Sequence, residues 1–260
     1  MATEAPRKLR VLGLHGFRTS GAILKKQLSK WTPAVHDLLD ITYLDGPTPA
    51  QGESDFAHIF EGPYFEWMQS NKDYSKFFNY RESLAYIMDF MEKNGPFDGV
   101  LGFSQGCTLA GCLVAVQQRP KAARNPAEAL RVAKLKGAMT STPYLSFFKK
   151  WEILGKSAAD LPPIRFYIAI AGAHLRDPGI HDVYLGSPID VPSLHFSGEK
   201  DPLHEPSTFF LRYWKDPVVI THPAGHTVPR LDETTEKTVV TFLKQFHTAQ
   251  PAAADEIVEK

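Results

Sequence analysis

The stretch Gly102-Phe103-Ser104-Gln105-Gly106 constrains the fold of this chain more than any other. It reads G-x-S-x-G. An apolar run, residues 97–103, enters it like a buried strand, and a small-residue run, 107–113, leaves it like a helix. A serine at that join would occupy a sharp strand-to-helix turn, which strains the backbone and exposes the hydroxyl. Gly102 and Gly106 are needed on either side because a Cβ there would collide with the neighbouring strand or helix. The helix would also aim its positive N-terminal end at the serine oxygen. The pentapeptide alone is modest evidence: with Gly at ~7% of residues and Ser similar, chance gives one in roughly a tenth of chains this long. The strand before it and the helix after it make Ser104 the candidate nucleophile rather than a solvated helix cap.

The rest of the chain repeats the same alternation of apolar runs and amphipathic stretches, the pattern of a parallel sheet covered by helices. Strands are expected at 9–14, 40–44, 100–103, 165–171, 193–196 and 218–221, with helices at 20–31, 80–94, 105–118 and 232–246. In the 80–94 helix Leu84, Ile87, Met88 and Met91 recur at helical spacing, and Gly95-Pro96 ends it. Residues 46–78 read as irregular and rich in aromatics. Within 119–163, residues 127–136 look helical and 144–153 amphipathic, closed by Pro162-Pro163. No repeat or linker divides two cores. The expectation is an α/β fold in one domain over 1–260, with about six mainly parallel strands, helices on both faces, insertions at about 46–78 and 119–163, and a flexible tail at about 249–260.

Composition narrows the function. The 260 residues carry 29 basic and 29 acidic side chains, with no basic run for nucleic acid and no acidic tail. Cys107 and Cys112 lie five apart on one expected helix, where their side chains diverge, so they read as reduced packing residues rather than a disulfide. The first residues lack the apolar core of a signal peptide, no stretch is long enough to span a bilayer, and the last residues carry no retention or lipidation signal. A cytoplasmic protein is the expectation. There is no H-E-x-x-H, no cysteine-rich cluster and no G-x-G-x-x-G, so neither a metal nor a cofactor is expected.

A serine hydroxyl is a weak nucleophile until a base takes its proton, and the base needs a carboxylate to orient it. On a sheet with such an elbow these partners follow in the order serine, acid, histidine, each on a loop after a strand. Asp201, after the fifth strand in Gly198-Glu199-Lys200-Asp201-Pro202, is the preferred acid. Glu199 is the local alternative, Asp177 a weaker one, and a capping role before Pro202 the competing reading of Asp201. His226, after the sixth strand in Gly225-His226-Thr227-Val228-Pro229, is the preferred base, with Gly225 expected to let the backbone swing the imidazole over the serine. Of its rivals, His222 is too close to its strand end, His204 shares the acid's loop, and His15 and His174 precede that loop. Two backbone N–H groups should stabilise the tetrahedral oxyanion, one from Gln105 and one from Phe17 in the loop after the first strand. His15 reads as an anchor of that loop, and Arg18 as a solvated charge rather than a gate. If strand two lies outside strand one and strand three on its other side, the Phe17 loop and Ser104 meet where the strand order reverses.

Together, Leu12-Gly13-Leu14-His15-Gly16-Phe17, the run from Asn94 to Gly106, Phe196-Ser197-Gly198-Glu199-Lys200-Asp201 and Gly225-His226-Thr227-Val228-Pro229 resemble the family of serine hydrolases that includes the yeast FSH proteins and the ovarian cancer-associated protein 2 type, within the α/β-hydrolase superfamily. Pro63-Tyr64-Phe65-Glu66-Trp67 is similar to the plant branch. The resemblance covers about residues 8–247. It implies a Ser104, Asp201, His226 triad and carboxylesterase or thioesterase activity on small acyl esters or thioesters, often with a fatty chain; some fungal relatives release polyketide chains from a carrier protein. The chain departs from compact plant members in its long 119–163 segment, which could cover the pocket.

Aromatic side chains cluster in both insertions: Tyr64, Phe65 and Trp67 in the first, and Tyr144, Phe147, Phe148 and Trp151 in the second. With Phe17, they suggest an apolar acyl pocket, and neutral net charge gives no steering toward anions. The favoured reading is an esterase working through an acyl-enzyme. The alternatives are a thioesterase acting on a carrier or CoA, an acyltransferase in which an alcohol replaces water, and a ligand receptor on a hydrolase fold with little turnover. The oligomeric state is left open.

Overall fold

The computed structural model describes residues 7–72, 74–118, 158, 161–177, 180–184 and 188–247. The expected helical pieces at 127–136 and 144–153, with Tyr144, Phe147, Phe148 and Trp151, lie outside the described residues, as does the tail.

Six parallel strands form the central sheet: β1 (Leu9–Leu14), β2 (Leu39–Leu44), β7 (Gly99–Phe103), β8 (Phe166–Ile170), β9 (Ser193–Gly198) and β10 (Val218–His222). Their order is β10-β9-β8-β7-β1-β2, and every neighbouring pair runs parallel. The order reverses between β1 and β7, where Leu14 pairs with Gly102. That register sets the loop after β1 beside the turn after β7. Crossover helices make such an arrangement possible, because parallel neighbours cannot be joined by a tight hairpin.

Alternation along the strands divides the core into two layers. Leu101, Phe103, Phe166, Ile168 and Ile170 face one side with Leu24, Val35, Val239 and Phe242. These pack under α1 (Gly21–Leu28), α2 (Pro33–His36) and α6 (Glu233–Lys244). Val100, Tyr167 and Ala169 face the other side with Leu84, Ile87, Leu109 and Leu113. That layer lies under α3 (Tyr80–Asn94) and α4 (Gln105–Gln118). Helix α4 is buried on nearly every side, from Gly106 to Val116, as expected of a helix that is apolar all round. None of the described helices is long and apolar enough to cross a membrane.

Strand and helix boundaries agree with the sequence expectations to within a few residues at each end. Three features were not anticipated. Helix α2 is a single turn that starts on Pro33. Helix α5 (His204–Phe210) carries Pro206 in its first turn, where a missing N–H breaks no helical hydrogen bond. The irregular first insertion holds two antiparallel pairs, β3 (Thr48–Pro49) with β4 (Phe65–Glu66), and β5 (Gln69–Ser70) with β6 (Phe77–Phe78).

Candidate active site

Ser104 sits between β7 and α4 with φ of 52°, the left-handed backbone of a strained strand-to-helix turn. Its N–H donates to Ile170 O at 2.9 Å, and its carbonyl accepts from Thr108 N at 3.1 Å. The flanking glycines answer a packing demand: a Cβ on Gly102 would lie 2.4 Å from Cys107 Cα, and one on Gly106 2.3 Å from Leu14 O. Both obstacles are backbone and cannot turn aside. The serine is therefore fixed by the close approach of β1, β7 and α4.

His226 Nε2 lies 2.8 Å from Ser104 Oγ. On the other side of the ring, Nδ1 lies 2.9 and 3.0 Å from the two oxygens of Asp201. A carboxylate only accepts hydrogen bonds, so Nδ1 carries the proton and the Nε2 lone pair faces the serine hydroxyl. Asp201 is 1% exposed and His226 28%, so the carboxylate is shielded while the imidazole edge stays open. Asp201 Oδ1 also accepts from Leu203 N at 2.7 Å. The capping role and the histidine contact thus coexist in one carboxylate. The two loops are laced together by Glu199 N to His222 O at 2.9 Å and Lys200 N to Ala224 O at 3.2 Å. Lys30, just past α1, donates to Val228 O at 2.9 Å and so ties down the chain after His226.

Gly225 does not behave as expected. It is absent from the left-handed region, and a Cβ there would meet nothing nearer than Lys200 O at 3.4 Å. The histidine is carried into place by the bonded loop itself, not by glycine freedom. His204 Nδ1 is 3.0 Å from Gly198 O. His174 packs among Tyr184, Phe209 and Tyr213, and His222 is buried with its pKa lowered by desolvation. Of the alternative acids, Glu199 is exposed, and Asp177 accepts from Phe77 N and the Tyr80 hydroxyl, both at 3.2 Å.

The loop after β1 meets the elbow directly: a Cβ on Gly16 would lie 3.0 Å from the Phe103 ring and 3.5 Å from Ser104 Cβ. Among the described residues, neither Phe17 N–H nor Gln105 N–H has a hydrogen-bond acceptor. His15 anchors this loop, as the sequence suggested. Its Nε2 accepts from Gly46 N at 2.9 Å, which leaves Nδ1 to donate to Gly16 O at 2.7 Å. Burial holds its pKa down to about 4, so the ring is neutral at physiological pH. Among the described residues, no group of three or more His, Cys, Asp or Glu is arranged to hold a metal ion.

The aromatic assignments fare unevenly. Phe17 is 37% exposed, on the loop after β1. Phe65 is half-buried, with its N–H bonded to Thr19 O at 2.7 Å. Tyr64 donates its hydroxyl to Phe60 O within the insertion. Trp67 is not open to a ligand: it is fully buried, its indole N–H donates to His15 O at 2.9 Å, and its ring lies 5.0 Å from that of His15. It is core beneath the loop. Arg18 is not a solvated charge either. Its Nε donates to Glu66 at 2.8 Å, and its guanidinium lies 4.7 Å over the Phe17 ring. Glu66 went unnoticed because it sits inside an aromatic run, and no local pattern reveals that a lone carboxylate will be buried.

Cys107 and Cys112 are free and buried, and desolvation pushes both thiols up to about 12. They are inert packing groups, as expected from their spacing.

The chain is also similar to known proteins. The family model described as serine hydrolase (FSH1) matches residues 3–238. An uncharacterized hydrolase of Schizosaccharomyces pombe is 25% identical over 245 residues, covering 87% of this chain and 48% of its own length. The chain thus spans about half the length of the first curated relatives it matches. The human esterase OVCA2 is 26% identical over 245 residues, covering 86% of this chain and 91% of its own. Among solved structures, acyl-protein thioesterase 2 of Zea mays superposes with a TM-score of 0.52 at 14% identity, covering 95% of this chain and 97% of that one. The likeness to that structure is one of fold, an α/β-hydrolase. With a six-stranded parallel sheet, a serine at its elbow and a family match across most of its length, the chain belongs to the serine hydrolase (FSH1) family.

Proposed function

We propose that the protein is a carboxylesterase for esters with apolar acyl groups, working through an acyl-enzyme on Ser104. The observation that carries this reading is the unbroken relay from Ser104 Oγ through His226 to Asp201, with both bonds to the imidazole at or below 3.0 Å. In the first half-reaction Ser104 Oγ attacks the ester carbonyl carbon while His226 Nε2 accepts the hydroxyl proton. Negative charge develops on the carbonyl oxygen, and the unbonded N–H groups of Phe17 and Gln105 receive it. Asp201 holds the imidazole in the tautomer that can take the proton and stabilises the imidazolium that results. Collapse of the intermediate breaks the bond to the leaving alcohol, which takes the proton from His226. Water then attacks the acyl-enzyme, gives its proton to His226 and releases the carboxylic acid, returning Ser104 to its starting state.

The exposed Phe17 ring, on the loop whose Gly16 packs against the elbow, supports an apolar acyl group over a sugar or charged metabolite. Buried, unpaired cysteines are in keeping with a reducing, cytoplasmic setting. A chain-length series of nitrophenyl esters, run beside acyl-CoA thioesters, tests the assignment. The expected result is turnover that increases from acetyl to medium-length chains and disappears in Ser104→Ala. An optimum at acetyl would overturn the apolar acyl site, and a strong preference for the thioesters would reassign the enzyme as a thioesterase.

A further inference from the structure

The two proposed oxyanion donors come from distant parts of the chain. Phe17 lies on the loop after β1, and Gln105 opens α4. Donors aimed at a developing oxyanion work only if their spacing is fixed before the reaction begins. Strand pairing sets that spacing only as far as Leu14 opposite Gly102. Beyond it the loop has left the sheet and needs another partner.

That partner is a single strip of the first insertion, residues 65–68. Phe65 N donates to Thr19 O at 2.7 Å. Glu66 accepts from Arg18 Nε at 2.8 Å. Trp67 Nε1 donates to His15 O at 2.9 Å. These three bonds grip the Phe17 loop on both sides of Phe17. The same strip also holds the other donor. Gln105 Oε1 accepts from Trp67 N at 3.0 Å and Met68 N at 3.3 Å, and Gln105 Nε2 donates to Met68 O at 2.9 Å. The Gln105 amide is thereby read in both directions, as a strand neighbour would be. The strip is anchored in turn, since Ser83 Oγ donates to Trp67 O and Ser83 lies on α3.

The cost of loosening this clasp is high. Glu66 is 1% exposed and accepts two further bonds, from Gln51 N at 3.1 Å and Gln69 Nε2 at 3.0 Å. A buried carboxylate so engaged cannot move without leaving donors unpaired. Truncating Gln105 would likewise orphan the N–H groups of Trp67 and Met68.

We infer that residues 65–68, clasped by the Gln105 side chain and the Arg18–Glu66 ion pair, are the positioning element of the oxyanion hole. Gln105 then has two separate duties, its backbone N–H toward substrate and its side chain toward the strip. The inference rests on the proposed esterase chemistry, and its test separates the two. Gln105→Leu keeps the backbone N–H and removes the three side-chain bonds. Glu66→Gln keeps the shape, removes the charge and serves as the second variant should the first misfold. For each, kcat and KM on a nitrophenyl ester are measured with the inhibition constant of an alkyl boronic acid, which forms a tetrahedral adduct. A loosened donor pair should lower kcat about tenfold to a hundredfold. KM should stay within about twofold, and boronate affinity should fall in step with kcat/KM. Folded variants with kcat and boronate affinity within about twofold of the parent would overturn the proposal. So would failure of both variants to fold, which would make the strip a scaffold for the whole domain. A parent protein with neither turnover nor boronate binding would instead defeat the esterase reading itself.

Discussion

At Ser104 a strained backbone, a bonded imidazole and a shielded carboxylate coincide, and each partner has its own expected phenotype. Ser104→Ala should lower kcat by at least about a thousandfold without changing the unfolding midpoint, because in the proposed mechanism the hydroxyl carries the chemistry while the turn is built by its neighbours. Asp201→Asn should lower kcat by about a thousandfold to ten-thousandfold. An amide can donate to Nδ1, which favours the tautomer with a proton on Nε2, facing Oγ where a lone pair is needed. Steady-state kinetics on a nitrophenyl ester, with circular dichroism to confirm folding, checks both. That Ser104, Asp201 and His226 would come together was legible in the sequence because each follows a strand-like run in a fixed order. Their supports were not. Arg18 and Glu66 look like two ordinary charges 48 residues apart until the hairpin of β3 and β4 brings them to 2.8 Å. Trp67 was open to either reading because aromatic content cannot tell a pocket wall from the core beneath it, and it proves to be core.

At the scale of elements, the sheet was readable because its central strands β7 and β8 are continuous apolar runs, buried throughout as strands covered on both faces must be. Helix α3 was readable from its spacing and its Gly-Pro stop. Helix α2 and the two hairpins were not, since elements of two to four residues hold together through tertiary contacts rather than local pattern. The packing of elements at the elbow makes its own prediction. Gly106→Ala places a methyl 2.3 Å from Leu14 O, so α4 and β1 must part or the turn must open. The expected outcome is a loss of at least about 2 kcal/mol in urea unfolding, with a loss of ester turnover in whatever protein remains folded. Full stability would show that the close approach of β1 to α4 is not needed. By contrast Ser20→Ala, which removes the cap that accepts from Ile23 N at 3.3 Å, should cost about 1 kcal/mol and leave turnover intact.

The whole molecule should be sensitive to acid for a reason visible in its interior. Burial holds His15 down to about 4 and His195 to about 3, whereas an unfolded imidazole ionises near ~6.5. Between these values the unfolded chain binds more protons than the folded one, so stability rises with pH. The contribution is complete above the unfolded value and is lost as pH falls from about 6.5 toward 4 and then 3. The thermal midpoint should therefore drop between pH 7 and 5. In His195→Phe, whose ring would keep its place against Trp214 and Tyr167, the drop should be shallower; an unchanged slope would remove His195 from the account. The central claim, that one serine at the sheet's reversal point is the nucleophile, is tested most directly by mass spectrometry after treatment with a fluorophosphonate. One adduct per chain is expected, located on Ser104 and absent from Ser104→Ala and His226→Ala. A folded protein that takes no adduct, or one modified on a different residue, would contradict it.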